Sequence, residues 1–138
     1  MLQFIDNIYK STNGPGLVDL TDTIKIWVQK NKFKNGILNL FILHTSASLL
    51  IQENADPDVL DDLITFYSKV APYYNNYKHS TEGPDDMPAH IKSSLTNTSL
   101  SISIQDRKLM LGTWQGIFLF EHRDTAITRK INLHFLGD

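Results

Sequence analysis

The sequence predicts an α+β fold with a mainly antiparallel sheet, on three observations. Ser99-Leu100-Ser101-Ile102-Ser103-Ile104 alternates strictly, as a half-buried strand does, and Ile37 to Leu43 is apolar on both parities, as a strand covered on both faces is. Leu20, Ile24, Trp27 and Val28 recur at helical spacing, as do Leu60, Leu63, Ile64, Tyr67 and Val70. The order of these strands and helices along the chain reads as α+β.

In chain order, Leu2 to Tyr9 reads as a strand and Ser11 to Gly16 as a loop rich in turn formers. A helix follows from about Asp22 to Asn31, and Asn35-Gly36 turns the chain into the strand at Ile37 to Leu43. That strand ends in His44-Thr45-Ser46, and a further strand is expected at Ser48 to Gln52. Asp56-Pro57 opens a second helix, with Asp56 as cap, Pro57 at the first helical position and Asp58 complementing the dipole. Its predicted buried stripe is Leu60, Leu63, Ile64, Tyr67 and Val70, and Pro72 closes it. Tyr73 to Met87 lacks either period and reads as a long functional loop. Pro88 starts a short helix with Ile91 and Leu95 facing inward. After the alternating strand, Gln105 to Lys108 is a turn, Gly112 to Gly116 a break, and Ile117 to Phe120 and Arg129 to Leu136 are the last strands. One domain over residues 1–138 is expected, without repeats.

Composition excludes several classes. With 41% hydrophobic and 20% charged residues the chain is an ordinary globule. Its formal charge is −2, and Lys and Arg form no stripe along the sequence, which argues against nucleic acid as the main partner. No cysteine is present, so a bound metal takes N and O ligands. No signal peptide and no apolar run long enough to span a bilayer is visible, so a cytoplasmic protein without membrane association is the expectation.

The chemistry concentrates in four of the five histidines, which lie in stretches crowded with acids, hydroxyls, Gly and Pro. Imidazole is the commonest metal ligand and titrates near neutrality. His44 and His122 each end an apolar strand, so two adjacent strands would bring both rings to one end of the sheet; the alternative is a buried ring satisfied by a hydroxyl. His90 falls in the first turn of the short helix, where side chains tilt back toward the loop carrying Glu82, Asp85 and Asp86. His79 is tied to this group only by nearness in sequence, and the spacing matches no compact zinc signature. His134 lies on the polar parity of the last strand and reads as surface. Around the histidines, Glu121 and Glu82 are candidate general bases. Arg123 is a candidate clamp for phosphate or carboxylate, and equally a partner for Glu121 in an ion pair. Thr45, Ser46 and Ser48 offer hydroxyls to an anion, and Trp114-Gln115 offers a surface for a flat ring or else a core Trp beside a turn.

His44-Thr-Ser-Ala-Ser48, Glu53-Asn-Ala-Asp-Pro-Asp58, His79, Glu82-Gly-Pro-Asp-Asp-Met-Pro-Ala-His90, Gly112-Thr-Trp-Gln-Gly116 and Glu121-His-Arg-Asp124 together resemble the YjbQ-like family, often labelled secondary thiamine-phosphate synthase. The resemblance covers nearly the whole chain. It implies a sheet curled into a half-barrel with two to three helices packed on it, a homotrimer, and a metal site, zinc first, with magnesium an option for a diphosphate substrate. Carried over, His44, His79, His90 and His122 are the candidate ligands, with Glu82, Asp85, Glu121 and Arg123 around them. The label implies joining a pyrimidine diphosphate to a thiazole phosphate, giving thiamine phosphate and pyrophosphate. Two other classes stay open: a metal-dependent hydrolase or lyase on a phosphorylated metabolite, and a non-catalytic protein binding a metal or phosphate-bearing ligand.

Overall fold

In a computed structural model describing residues 1–138, the strands divide into two antiparallel sheets. β1 (Leu2–Asn13) and β8 (Ala126–Gly137) pair along their whole length. β8 pairs on its other edge with β3 (Gly36–Ile42), β3 with β5 (Ser99–Gln105), and β5 with β6 (Lys108–Leu109). The smaller sheet has the order β2 (Gly16–Asp19), β7 (Gln115–Glu121), β4 (Ala47–Glu53). Three helices accompany them, α1 (Thr21–Lys30), α2 (Pro57–Val70) and α3 (Asp86–Leu95), and the whole curls into the half-barrel expected of the α+β class. No helix is long and apolar enough to cross a membrane.

One continuous core joins the sheets. Ile131, Leu133 and Phe135 of β8 alternate inward with Leu38, Leu40 and Ile42 of β3, and meet Ile117 and Leu119 of β7. Phe33, just after α1, stacks on Phe135 with ring centroids 3.9 Å apart, and each such side chain contributes roughly 1.5–3 kcal/mol by leaving water. The β3–β8 contact is close at its end: a Cβ on Gly36 would lie 2.2 Å from the Leu136 carbonyl. Only glycine permits that approach.

Packing corrects several expectations. β3 is covered on one face only, because Ile37 and Phe41 are exposed where its apolar run predicted cover on both faces. The residues Ser11 to Asn13 continue β1 instead of looping, because the ladder to β8 satisfies their backbone; the turn is confined to Gly14-Pro15, and β2 follows it. The matching end of β8 starts at Ala126, ahead of the expected Arg129. Although Asp56 caps α2 as expected, its side chain accepting from Asp58 N at 3.0 Å, none of the helix is fully buried, and Val70 is 44% exposed. Tyr67 gives it one firm contact, an edge-on packing against Phe120 at 5.5 Å. In α3 the inward residues are Ala89, Lys92 and Ser93, whereas Leu95 is 55% exposed. Small side chains let this helix approach β4 closely enough for the Ser93 hydroxyl to donate to the Ala47 carbonyl at 3.2 Å.

Candidate functional site

The chain leaves β7 through Glu121-His122-Arg123-Asp124, and a buried ion pair holds that exit. Glu121 is fully buried, and its carboxylate accepts from Arg129 Nε at 2.7 Å, from Arg129 Nη2, from the Thr12 hydroxyl at 2.6 Å, and from the backbone N–H of His122 at 3.0 Å and Arg123 at 3.2 Å. Burial pushes the carboxyl up, but hydrogen bonds from Arg129 and Thr12 outweigh it and hold Glu121 below the usual carboxylate range. Both oxygens are committed to the frame, which leaves Glu121 anchoring the strand exit instead of moving protons. Its ion-pair partner is Arg129, not Arg123.

His122 points into the interior, where its Nε2 lies 2.9 Å from the Ser48 hydroxyl and its ring packs 4.3 Å from Phe120. Its Nδ1 is buried without a partner. Burial, and then the nearby Lys92 charge, push its pKa down to about 3. An unfolded histidine titrates near 6.5, so the unfolded chain takes up the proton first as pH falls. Stability from this group is complete above pH 6.5 and is lost between there and about pH 3. Over that window His122→Phe should flatten the dependence of unfolding free energy on pH by about 1.4 kcal/mol per unit, one proton's worth, as read by denaturant titration. An unchanged slope would mean that His122 is already charged in the fold.

His44 is tied to β8, though its ring borders the same shallow cleft as His90. Its Nε2 accepts from the Lys130 backbone N–H at 2.8 Å, and burial, then Arg129, push its pKa down. Thus two of the four candidate histidines spend their rings on backbone and core.

The other two converge. Gly83, with φ of 100°, turns the loop so that Asp85 and Asp86 enter α3, and Asp86 and His90 then lie one helical turn apart on one face. Asp86 Oδ2 lies 2.6 Å from His79 Nε2 and 3.1 Å from His90 Nε2, while Glu82 Oε2 lies 3.1 Å from His79 Nε2. Ligand atoms of His79, Asp86 and His90 are all within 4.8 Å of one another. His90 Nδ1–H donates to the Thr45 carbonyl at 2.9 Å, which fixes the ring with Nε2 facing the Asp86 carboxylate. A ring N–H held by a carbonyl is the usual outer support of a metal-ligating histidine. Two imidazole nitrogens and a carboxylate gathered within 4.8 Å are the donor types a divalent metal of the zinc type takes.

Asp86 is nearly buried, and burial pushes it up, yet the hydrogen bond from His79 and the charges of His90 and Arg123 leave it below the ordinary range. His79, at the rim, is raised, chiefly by its hydrogen bond to Asp86. Arg123 supports the cluster from behind. Its Nε donates to Asp85 at 2.8 Å, its Nη1 to Asp86 Oδ1 at 2.6 Å and its Nη2 to the Glu82 carbonyl at 3.1 Å. That guanidinium is occupied by protein carboxylates, so the clamp expected of Arg123 is turned inward onto Asp85 and Asp86.

The remaining candidates divide in the same way. Ser46 accepts from Arg129 Nη2 through its carbonyl at 3.1 Å and its hydroxyl at 3.0 Å, and Thr45 serves through its carbonyl. Trp114 is 63% exposed, and Gln115 accepts from Gly112 N–H at 2.7 Å. Both sit at the opposite end of β7 from His122, roughly 20 Å along the strand, so they do not join the cluster. Sequence reading passed over Asp86 as a ligand and Lys92 altogether. The Asp86–His90 spacing of one turn was a usable signal. Lys92, buried with its ammonium 5.7 Å from the Tyr73 ring centre, carried none.

Residues 7–138 match the model of the family described as UPF0047 protein YjbQ-like. The chain belongs to that family. It is 50% identical over 129 residues to a UPF0047 protein of Synechocystis sp., covering 93% of this chain and 88% of the relative. To a UPF0047 protein of Methanocaldococcus jannaschii it is 43% identical, over 94% of this chain and 91% of the relative. Among solved structures, a YbjQ-like protein of Sulfolobus solfataricus P2 aligns with a TM-score of 0.90 at 29% identity over 99% of both chains. A YjbQ/UPF0047 protein of Clostridium acetobutylicum aligns with a TM-score of 0.83 at 35% identity, over 99% of this chain and 100% of the other. The family and its fold are thereby common to all of them.

Proposed function

We propose that the protein is a cytoplasmic, metal-dependent enzyme acting on a small phosphorylated metabolite, with His79, Asp86 and His90 as ligands and Glu82 beside them. The observation that carries this reading is the convergence of His79, Asp86 and His90, whose ligand atoms lie within 4.8 Å of one another while the Thr45 carbonyl holds the His90 ring toward Asp86. A bound divalent cation supplies a Lewis acid for phosphoryl oxygens and their developing charge.

The chain's own groups divide the remaining work. A cavity of about 350 Å³ opens beside His79, walled by Tyr73, Tyr74, Tyr77 and Met87, and suits a flat apolar ring. A shallower one of about 260 Å³ flanks His90, with Thr45, Ser93, Ser94 and Thr98 to hydrogen-bond a polar group. Lys92 is buried with its ammonium over the Tyr73 ring and without an ion-pair partner, its pKa pushed down by burial. The leading activity is the one the resemblance implies, joining a pyrimidine diphosphate to a thiazole phosphate. In it these residues orient the two rings, and a bound metal would neutralise charge on the departing pyrophosphate.

Hydrolysis of a phosphorylated metabolite is the second reading. It is favoured by Glu82, a 63% exposed carboxylate at the rim beside His79, whereas Glu121 is buried and committed to the frame. Self-association as a homotrimer belongs to the same proposal, because the outer face of the larger sheet exposes Ile5, Ile37, Phe41 and Leu136.

The test uses protein stripped with chelator and reloaded with zinc or magnesium, and follows thiamine phosphate and inorganic phosphate together. Metal-dependent thiamine phosphate is the expected product, and phosphate release alone selects the second reading. No bound metal on elemental analysis, with melting unmoved by added metal, would overturn both.

A further inference from the structure

A separate cavity of about 280 Å³ lies between α1 and the β5–β6 turn, lined by Lys25, Val28, Gln29, Arg107, Lys108 and Leu109. None of these residues belongs to the histidine cluster. Three of the six are cations, no acid lines the cavity, and none of the three makes an ion pair. In a chain of net charge −2 this is a local excess of positive charge with nothing in the protein to neutralise it. Val28 and Leu109 give the cleft an apolar floor, and Gln29 adds an amide one helical turn from Lys25.

The backbone supplies an independent observation. Asp106 and Arg107 form the two-residue turn between paired Gln105 and Lys108, with φ of 49° and 65°. Both values are left-handed, and the second position of such a hairpin turn strongly favours glycine. Arginine stands there, and only its backbone is used by the fold, the N–H donating to the Lys34 carbonyl at 2.9 Å. Asp106 beside it directs its own N–H to Asn35 Oδ1 at 3.1 Å, and its carboxylate pairs with none of the three cations. A side chain held in a costly conformation and left without a partner is the mark of a group placed for a ligand.

We propose that this cleft binds a small organic phosphate monoester, with Lys25, Arg107 and Lys108 on the phosphoryl group and the organic body against Val28 and Leu109. Guanidinium and ammonium groups together suit a phosphate dianion. The confined volume and three cations favour a small molecule over a nucleic acid, which needs an extended basic track. This inference is independent of the metal reading.

Phenyl phosphate is the probe, titrated into chelator-treated protein at constant ionic strength while the Val28 and Leu109 methyl signals are followed by NMR. Saturable shifts at those methyls are expected, with inorganic phosphate at least ~10-fold weaker because it leaves the apolar floor uncovered. Arg107→Gly should raise the melting temperature, by relieving the turn, and yet weaken phenyl phosphate at least ~10-fold. Lys25→Ala should weaken it while leaving melting unchanged. The proposal is overturned by absent shifts, by wild-type affinity in Arg107→Gly, or by equal affinity for inorganic phosphate. A single-stranded oligonucleotide that moves the same methyls more tightly than phenyl phosphate would also overturn it.

Discussion

Asp86→Asn is expected to weaken zinc binding at least ~100-fold, about 2.8 kcal/mol, in a competition titration against a chromogenic chelator. Asp86 Oδ2 is the one atom within reach of both His79 and His90, and its partner oxygen is held by Arg123. The amide keeps the shape but removes the negative charge and halves the acceptor capacity. Asp85→Asn is the matched control. Asp85 touches Arg123 and the Asp124 N–H, without contacting either histidine. It should cost stability while weakening zinc by no more than about 10-fold, the low end of outer-shell changes. If the two variants lose affinity equally, the loop as a whole binds the metal and the assignment of Asp86 as a ligand fails.

Arg129→Ala should cost about 3–5 kcal/mol in unfolding free energy, the largest single effect expected on the fold. Arg129 is 3% exposed and Glu121 fully buried, so removal of the guanidinium leaves a carboxylate without its main donor in the interior. Burial then prevails over the two backbone N–H groups and Thr12, and Glu121 either takes a proton or drags water in. Replacing both partners, Arg129→Met with Glu121→Leu, should recover most of the loss, because an apolar pair leaves no stranded charge. The double variant distinguishes a role in the frame from one in chemistry. If it folds well yet the exit of β7 still delivers Arg123 to Asp85 and Asp86, metal affinity survives. If Arg129→Ala unfolds at the same denaturant concentration as the parent, the ion pair is not the keystone described.

The two predictions bear on different parts of what was legible beforehand. The alternation at Ser99 to Ile104, the apolar run at Ile37 to Leu43 and the Asp56-Pro57 cap each carry their own local physics, and all three elements stand where expected, although β3 is covered on one face only, with Ile37 and Phe41 exposed on the other. Element edges were less legible. The β1–β8 ladder runs through Asn13 and from Ala126 because each strand satisfies the other's backbone, a long-range effect that polar residues at Ser11 to Asn13 conceal. The inward face of α3 was misjudged for a related reason. Apolar Ile91 and Leu95 suggest a buried stripe, but the helix sits so close to β4 that only Ala89, Ser93 and the stem of Lys92 fit beneath it.

Sequence alone therefore carried the α+β class, the family, and the fact that imidazoles and carboxylates crowd a few stretches. It did not decide which histidines share a site. His44, His79, His90 and His122 are chemically equivalent on the page, and local spacing does not encode the direction of a ring that leaves its strand. Tertiary structure separates them by the partners it gives their rings. Lys130 N–H takes His44, Ser48 and the core take His122, and the Thr45 carbonyl turns His90 onto Asp86 and His79. Likewise Lys25 and Arg107, 82 positions apart in the chain, become one cationic cleft only when α1 meets the β5–β6 turn. Electrostatic and coordination chemistry act over a few ångströms of space, and only the fold sets those distances.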